Sequence, residues 1–255
     1  MQKRYEGILI ASDWDGTLYV GGNINERDIR AISKFQQEGG LFTLCSGRSL
    51  EFMSQFFDRI HPNTYAITLN GAVIKHPDTK DILYENFLDK RIIEILEKIF
   101  VNEDYFEKIY AFFKDSQEAK FYTKEVYILE RDVFAQSDIY KVVLVSNDSE
   151  KTLKAQKILE NSEYEGYIFV RSWEVSLEIL MKESGKGYAL SRVKEKEHCH
   201  TAIAVGDYEN DIQMIKMADV GYAVGNASPA TKAVADIITV PAQEGALAYI
   251  IESLK

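Results

Sequence analysis

Residues 8–18 read ILIASDWDGTL, and this stretch decides the fold class of the chain. Residues 8–11 are a short, continuous apolar run, which is typical of a strand that is covered on both faces. Asp13 and Asp15 follow it directly, and Gly16 permits a tight turn out of the strand. In open α/β sheets, ligands bind beyond the carboxyl ends of the strands. The stretch therefore predicts a buried parallel strand that leads into a site.

The segments that follow alternate between helical and strand patterns. Residues 26–38 have apolar side chains at helical spacing, and residues 41–45 form a second apolar run. A predicted helix over 49–60 and a predicted strand over 65–69 come next, and the same alternation returns after Lys186. Strands that alternate with helices predict a parallel sheet with right-handed crossovers. We therefore expect an α/β fold with a doubly wound, mostly parallel, Rossmann-like sheet.

The alternation breaks in the middle of the chain. Extended segments rich in aromatic residues are predicted at 108–113 and 121–129, among further strands and helices. This mixture is typical of a separate α+β domain. We expect a core domain formed by residues 1–81 and 185–255, with an α+β domain of residues 82–184 inserted into it.

The composition excludes several classes of protein. The chain has 255 residues, of which 46% are hydrophobic and 27% charged, an ordinary globular composition. Thirty basic and forty acidic residues give a net charge of −10, so a broad nucleic-acid-binding surface is not expected. A small phosphorylated ligand is compatible with this charge, because it needs only a local positive site or a bound cation.

The sequence also predicts the compartment. No apolar stretch approaches the roughly 20 residues that span a bilayer, and the apolar run near the N-terminus is too short for a signal peptide. Cys45 and Cys199 cannot form a disulfide framework or a zinc site of their own, and they fit a reducing compartment. We expect a soluble cytoplasmic protein that binds neither membranes nor nucleic acid.

The two aspartates after the first strand favour phosphoryl transfer. Residues two apart in an extended chain point the same way, so Asp13 and Asp15 are expected to aim their carboxyl groups at one point. Paired carboxylates repel each other unless a cation lies between them or one holds a proton. One could attack phosphorus and form an aspartyl phosphate, while the other exchanges protons with the leaving group and water. The alternative is a surface turn, where Asp and Gly are common.

A second acidic cluster follows another predicted strand, residues 201–205. Asp207, Asn210 and Asp211 come after it, and hard oxygen ligands of this kind suit Mg²⁺. Helix capping is the alternative, since Asp and Asn often satisfy the free N–H groups of a first helical turn. Capping does not explain why two separate strands both end in acidic residues, so we predict a metal site.

Two further segments are candidates for holding an anion. Ser46, Gly47 and Arg48 lie between a predicted strand and a predicted helix, where they either bind an anion or cap the helix. Lys186 lies between small residues, and it is either solvated or holds a phosphoryl oxygen beside the carboxylates. Four carboxylates carry −4, Mg²⁺ and Lys186 carry +3, and a phosphate dianion would bring the total to −3. The site therefore requires the metal and a protonated Asp15.

Taken together, these motifs resemble the haloacid dehalogenase superfamily of phosphohydrolases, in its Cof-like or type IIB subgroup. DWDGTL at residues 13–18 is similar to the first motif of that family, and LCSGR contains the serine of the second. Lys186 in GKGYAL is similar to the third motif, and GDYENDIQM at residues 206–214 is similar to the fourth. VGNA at 224–227 and NGA at 70–72 are similar to further hallmarks of the subgroup.

The resemblance implies a role for each candidate residue. Asp13 would be the nucleophile, and Asp15 the general acid and base. The residues implied to contact the phosphoryl group are Ser46, Gly47, Lys186 and Asn210. The implied ligands of Mg²⁺ are Asp13, the main-chain carbonyl of Asp15, Asp207 and, in support of the metal shell, Asp211.

The resemblance also extends to the insert. Residues 82–184 would be a cap of type C2B that closes over the site. Trp14 departs from the aliphatic or small residue that the family often has between its two aspartates. Its ring is expected to contact the leaving group or to pack against the cap.

The predicted activity follows from these roles. We expect a Mg²⁺-dependent phosphatase that hydrolyses small phosphorylated metabolites, sugar phosphates in particular, through an aspartyl-phosphate intermediate. A sugar phosphomutase and a non-catalytic metabolite-binding protein are the alternatives, and the pair of aspartates argues against the second because binding alone needs no acid/base. We expect a monomer or a weak dimer.

Overall fold

The structure, a computed structural model, describes residues 3–116 and 118–254. The described residues form two compact units. The first, which we call the α/β unit, comprises the described residues up to Tyr84 and those from Gly185 onward. The second, the inserted unit, runs from Glu85 to Ser184.

Both units combine strands with helices. In chain order the strands are β1 (Ile8–Ser12), β2 (Tyr19–Val20), β3 (Asn23–Ile24), β4 (Leu41–Leu44), β5 (Ala66–Thr68), β6 (Val73–Lys75), β7 (Ile82–Glu85), β8 (Lys108–Phe113), β9 (Lys120–Tyr122), β10 (Ile139–Val145), β11 (Tyr167–Trp173), β12 (Ser176–Met181), β13 (Thr201–Gly206), β14 (Val220–Ala223) and β15 (Ile237–Ile238). The α-helices are α1 (Glu26–Gln37), α2 (Leu50–Ser54), α3 (Ile92–Leu96), α4 (Lys124–Gln136), α5 (Ser149–Glu160), α6 (Lys186–Lys196), α7 (Ile212–Met217), α8 (Pro229–Lys232) and α9 (Ala246–Ser253).

The α/β unit is built on a five-stranded parallel sheet with the order β15-β14-β13-β1-β4. Strand β1 pairs in parallel with β13 on one side, from Ile8 opposite Thr201 onward, and with β4 on the other. The chain therefore winds outward from β1 in both directions, which confirms the predicted doubly wound α/β fold. The carboxyl ends of β1, β4 and β13 lie at one edge of this sheet.

Helices cover both faces of this sheet. Ile10 of β1 packs in one apolar cluster, which also contains residues of α1 and α9, such as Phe35 and Leu247. Its neighbours Leu9 and Ala11 pack in a second cluster with residues of α6 and α7. Successive strand residues point to opposite faces, so a strand between two layers of helices must be apolar on both. This explains why β1 reads as a continuous apolar run.

Two predicted elements of this unit are shorter than expected. The predicted strand over 65–69 is reduced to β5, which pairs antiparallel with β6 and meets the parallel sheet only in a Cys45–Ile67 bridge, as far as the described residues go. The predicted helix over 49–60 ends at Ser54, after which the chain continues in turns. Phe56 and Phe57 in those turns still pack against the apolar core. The apolar pattern of this segment therefore indicated burial and not a continuous helix.

The inserted unit contains an antiparallel sheet with the order β11-β12-β10-β8-β9. Residues of α3, α4 and α5 pack with one face of the strands in a single apolar cluster. This is the α+β arrangement expected for the insert. Among the described residues, no helix is both long enough and apolar enough to cross a membrane.

One prediction for the inserted unit is wrong. Residues 121–129 were expected to be extended, whereas β9 ends at Tyr122 and α4 begins at Lys124. The side chain of Thr123 caps this helix by accepting a hydrogen bond from the N–H of Val126 at 3.4 Å. Tyr127 and Phe134, seven residues apart on α4, are both buried, which is the period of a helix rather than a strand.

Candidate active site

Asp13 lies at the carboxyl end of β1, where the sequence predicts the site. Its N–H donates to the carbonyl of Val205 at 2.9 Å and so continues the pairing of β1 with β13 by one residue. The hydroxyl of Ser12 donates to the carbonyl of Asp13 at 2.8 Å. With its backbone fixed in this way, Asp13 is only 5% exposed.

Asp211 follows β13 and closes the neighbouring turn. Its Oδ2 accepts hydrogen bonds from the N–H groups of Asp207 at 2.9 Å and Tyr208 at 3.2 Å. The Cα of Gly206 passes so close that a Cβ there would lie 2.4 Å from the Cβ of Asp211. Only glycine fits at this point. Oδ2 of Asp211 therefore satisfies free N–H groups, as the helix-capping interpretation predicts. Its Oδ1 remains for contacts within the site.

Lys186 joins these two strand ends. Its Nζ donates to Oδ1 of Asp13 and to Oδ1 of Asp211, both at 2.6 Å. Lys186 is the first residue of α6, and it is buried. Gln213 anchors this helix start, because its Oε1 accepts a hydrogen bond from the N–H of Gly187 at 3.0 Å. The alternative of a solvated lysine is therefore wrong, since Lys186 is the buried cation of the site.

Three aspartates converge at this edge of the sheet. Ligand oxygens of Asp13, Asp207 and Asp211 all lie within 4.8 Å of one another, and we call these residues the acid cluster. The hydroxyl of Thr17 donates to Oδ1 of Asp207 at 3.1 Å and orients it. Gly16, with φ of 88°, packs directly on Asp207, where a Cβ would lie 2.3 Å from Oδ2. The turn after β1 is thus shaped to bring Asp207 beside Asp13.

The acid cluster carries more negative charge than Lys186 can neutralise. Burial raises the pKa of Asp13 well above its usual range, and the charge of Asp211 adds to this effect. Burial and the charge of Asp211 likewise raise the pKa of Asp207 to about 7. Burial lowers the pKa of Lys186, but the attraction of Asp13 and Asp211 more than offsets it, so that this pKa is raised. The lysine therefore stays charged.

These residues fit a hard divalent cation. Three carboxylates carry −3 and Lys186 carries +1, so a divalent cation brings the sum to zero before any phosphate binds. Carboxylate oxygens are the ligands that hard cations such as Mg²⁺ prefer. Mutual repulsion among buried carboxylates is relieved by such an ion. The acid cluster is therefore a candidate metal site on its own chemistry.

The Asp15 carboxylate does not join the acid cluster, so the prediction that it points to the same place as Asp13 is wrong. Arg48 binds it through Nε at 2.9 Å and Nη2 at 3.1 Å, and the Asp15 side chain is 50% exposed. The physical reason is that β1 ends at Ser12, so two-residue alternation no longer applies. The chain turns instead, and the N–H groups of Leu18 and Tyr19 donate to the carbonyl of Trp14.

The predicted phosphate-binding residues other than Lys186 lie in two loops. Ser46 is buried, and its hydroxyl accepts a hydrogen bond from the N–H of Arg48 at 3.1 Å, with Gly47 between them. It does not cap α2, because Ser49 does so by accepting from the N–H of Phe52. Asn210 lies in the helical turn Glu209–Asp211 after β13.

Asn70 connects these two loops. It accepts a hydrogen bond at Oδ1 from Nδ2 of Asn210 at 3.3 Å, and its N–H donates to the carbonyl of Ser46 at 2.8 Å. Asn70 was noted from the sequence only as part of the NGA segment, without a role. The structure brings it beside two of the predicted phosphate-binding residues.

Other residues of the site have no predicted role. Thr17 and Gln213 fall within or beside the recognised motifs, yet their spacing does not reveal their partners. Asn226 of the VGNA segment donates to the carbonyl of Gly16 at 2.8 Å and accepts from the N–H of Ala242 at 2.8 Å. It therefore fastens the turn after β1. Clues to these roles lie only in their membership of the motifs.

The ring of Trp14 packs within the α/β unit. It is fully buried in the apolar core of the α/β unit. Its ring stacks on Tyr19 with centroids 5.2 Å apart and is tilted against Phe56 at 5.0 Å. Trp14 therefore anchors the turn between Asp13 and Asp15 to the core, because a bulky apolar ring is most stable away from water.

The chain matches a known family over most of its length. A model of the family described as haloacid dehalogenase-like hydrolase matches residues 10–251. The chain belongs to the haloacid dehalogenase-like hydrolases. Hydrolases of this superfamily generally use a divalent metal ion, and the acid cluster could bind one.

Individual relatives agree with this assignment. The hydrolase is 25% identical to the phosphatase YwpJ of Bacillus subtilis (strain 168), over 96% of this chain and 99% of that one. Its fold is similar to that of a haloacid dehalogenase-like hydrolase from B. subtilis, with a TM-score of 0.81, 24% identity and coverage of 97% and 99%. It is also similar to the subclass IIB sugar phosphatase BT4131, with a TM-score of 0.74, 18% identity and coverage of 96% and 97%. The resemblance drawn from the motifs is confirmed.

Proposed function

We propose that this hydrolase is a Mg²⁺-dependent phosphatase that acts on small phosphorylated metabolites, sugar phosphates in particular. The observation that carries the proposal is the buried Asp13 carboxylate, held by Lys186 at 2.6 Å within a cluster of three aspartates. Phosphoryl transfer depends mainly on positioning and on charge neutralisation, and the site offers both. The names of the phosphatase relatives support the same reaction class.

Asp13 is the proposed nucleophile. One of its carboxylate oxygens bonds to phosphorus while the bond from phosphorus to the leaving alcohol breaks, which gives an aspartyl phosphate. A water molecule then attacks the same phosphorus, and the bond to Asp13 breaks to release phosphate. Lys186 fixes the orientation of Asp13 for the attack by holding its Oδ1.

The acid cluster would hold Mg²⁺, which would supply positive charge to the phosphoryl oxygens when bound. Asp13, Asp207 and the main-chain carbonyl of Asp15 are the proposed ligands. Both oxygens of Asp211 already have partners, one on Lys186 and one on backbone N–H groups. We therefore give Asp211 the supporting role.

Asp15 is the proposed general acid and base. In the structure its carboxylate is bound to Arg48, and both side chains are about half exposed. An exposed ion pair of this kind contributes only about 0–1 kcal/mol, so Asp15 can exchange Arg48 for the leaving-group oxygen at little cost. The half-exposed position also gives it access to the water of the second step.

The phosphoryl group would be bound by donors from three segments. Ser46 and Gly47 follow β4, Asn210 follows β13, and Lys186 begins α6. Backbone and hydroxyl donors beside a charged lysine are suited to phosphate oxygens. We further propose that the inserted unit is the cap of type C2B, and that the protein acts in the cytoplasm as a monomer or a weak dimer.

The test is a screen of phosphorylated metabolites and p-nitrophenyl phosphate, with and without Mg²⁺ after chelation. Asp13→Asn is the blank, because it keeps the shape of the side chain and removes the nucleophilic oxygen. We expect phosphate release by the wild type with Mg²⁺, none by Asp13→Asn, and an acid-stable phosphorylated peptide containing Asp13 in quenched reactions. An Asp13→Asn variant as active as the wild type contradicts the proposal.

The same screen separates the alternatives. A sugar phosphomutase would need a bisphosphorylated sugar and would interconvert sugar phosphates without net release of phosphate. A metabolite-binding protein would bind a sugar phosphate tightly and release nothing from any ester with Mg²⁺ present.

A further inference from the structure

Three successive residues after β5 have a left-handed backbone, and two of them are not glycine. The φ angles are 50° at Leu69, 56° at Asn70 and 94° at Gly71. L side chains avoid this region because Cβ crowds the backbone, although Asn tolerates it better than Leu. Such a turn persists only where the surrounding structure holds it in place. Strained backbone of this kind is concentrated at functional sites.

Hydrogen bonds attach this turn to the loop that contains Ser46. The N–H of Asn70 donates to the carbonyl of Ser46 at 2.8 Å, and the N–H of Leu69 donates to the carbonyl of Arg48 at 3.0 Å. The N–H of Ser46 donates in turn to the carbonyl of Ile67 at 2.9 Å. Asn70 and Ser46 are each 1% exposed, so water does not compete for these bonds. The left-handed turn therefore fixes the backbone of Ser46.

The side chain of Asn70 contacts the other strand end. Nδ2 of Asn210 donates to Oδ1 of Asn70 at 3.3 Å. Ser46 follows β4 and Asn210 follows β13, and these two strands pair with β1 on opposite sides. Asn70 thus connects the loops on both sides of β1, the strand that Asp13 directly follows.

We propose that Asn70 is a positioning residue for phosphate binding. Its backbone N–H fixes Ser46, and its side-chain oxygen orients the amide of Asn210. An amide nitrogen has two N–H groups, so the bond to Asn70 leaves the second one for a phosphoryl oxygen. The inference rests on the proposed function, in which Ser46 and Asn210 bind the phosphoryl group.

Asn70→Gly tests the side chain alone. Glycine adopts the left-handed backbone freely and keeps the N–H that donates to Ser46. We expect this variant to weaken the binding of inorganic phosphate roughly tenfold, in calorimetry with Mg²⁺ present, as one lost hydrogen bond does. The melting temperature should not fall, which excludes general loosening of the fold.

A double-mutant cycle tests whether Asn70 acts through Asn210. If it does, Asn210→Ala already loses the effect, and Asn70→Gly adds little in that background. His198→Gly is the matched control, because His198 is an exposed non-glycine residue with φ of 54° just before the amino end of β13. It should bind phosphate like the wild type. Independent, multiplying effects of Asn70→Gly and Asn210→Ala overturn the proposal.

Direct binding of phosphate distinguishes this inference from the proposed function. A wild type that binds phosphate but hydrolyses no ester overturns the phosphatase, and a weakened Asn70→Gly then still supports the role of Asn70. An active wild type with an Asn70→Gly variant that binds phosphate equally well overturns the inference alone. A wild type that binds no phosphate overturns both.

Discussion

Lys186 lies buried between two carboxylates, and such a cation is costly to remove. Its Nζ is 2.6 Å from both Asp13 and Asp211, so its loss would leave buried negative charge without a partner. Lys194, on the same helix, instead pairs with Asp219 at the surface, at 2.7 Å. One helix therefore offers a buried and an exposed ion pair for comparison.

We expect Lys186→Met to lose at least about 100-fold in turnover of p-nitrophenyl phosphate and about 3–5 kcal/mol in the free energy of unfolding. Methionine keeps most of the length of the side chain and removes the ammonium group with its charge and its two hydrogen bonds. Lys194→Met should lose no more than about 1 kcal/mol and keep its activity. Urea unfolding and steady-state kinetics measure both. Equal losses in the two variants would contradict a special role for Lys186.

Asp28 is a second buried charge, away from the acid cluster, on α1. Its Oδ1 accepts a hydrogen bond from the N–H of Ala248 at 2.7 Å, and its Oδ2 has no hydrogen-bond partner among the described residues. Burial raises the pKa of Asp28 to about 6, and the N–H groups of Ala248 and Leu247 offset only part of this effect. The folded chain therefore binds a proton at Asp28 more tightly than the unfolded chain does.

This predicts a pH-dependent effect of Asp28→Asn. Between about pH 4 and pH 6 the folded state holds more protons, so Asp28 makes the wild type less stable as the pH rises. The asparagine variant does not titrate and should gain about 2 kcal/mol relative to the wild type between pH 4 and pH 8. Urea unfolding at the two pH values measures it. Asp58→Asn, an exposed change in the same unit, is the control, and identical curves for Asp28→Asn and the wild type would contradict the prediction.

Helix α4 shows how a single element resists prediction from sequence. Ile128 and Leu129 are exposed, Leu129 by 85%, and together with buried Tyr127 they give an apolar run that suggests a strand. The helix is decided instead by its cap at Thr123 and by the seven-residue spacing of Tyr127 and Phe134 in the core of the inserted unit.

Removing that cap should destabilise α4 selectively. We expect Thr123→Ala to lose about 1 kcal/mol, because the N–H of Val126 would lose its partner. Hydrogen exchange should accelerate over residues 124–136 and stay unchanged in the α/β unit. Thr123→Ser keeps the hydroxyl and should behave like the wild type, and no difference between the two variants would contradict the capping role.

The parallel strands, in contrast, are predictable. Strand β1 lies between two layers of helices, so burial on both faces leaves the run Leu9, Ile10 and Ala11 in the sequence. Strand β5 was predicted less well, because an apolar run does not reveal whether its partner is parallel or antiparallel. An apolar run indicates burial, whereas pairing depends on which strand lies beside it, and for β5 that strand is β6.

The same distinction applies to the site. The convergence of Asp13 and Asp207 follows from residue types at strand ends, since the carboxyl ends of parallel strands meet at one edge. The direction of the Asp15 carboxylate does not, because it depends on a turn after Ser12 and on an arginine from another loop. Asn70 was missed for a related reason, since its role depends on a left-handed backbone that no residue spacing records.

At the scale of the whole molecule, the two units have separate apolar cores and differ in the charged groups that they bury. The α/β unit contains the acid cluster with its buried Lys186, whereas the inserted unit pairs its buried Lys141 with Glu178 at 2.5 Å. A cation that binds the acid cluster stabilises the folded state by mass action, by about 2.7 kcal/mol at one hundred times its dissociation constant. We expect this stabilisation in the α/β unit, which contains the acid cluster.

We therefore expect Mg²⁺ to protect the two units unequally from hydrogen exchange. After chelation, added Mg²⁺ should slow exchange in peptides covering β1 and β13 and leave those covering β8 and β10 unchanged, because local opening of the inserted unit exposes no ligand. Asp207→Asn keeps the size of the side chain but weakens a ligand, so it should lose most of the protection. Monovalent salt at equal ionic strength controls for screening. Protection that is equal in both units, or unaffected by Asp207→Asn, would contradict a metal site at the acid cluster.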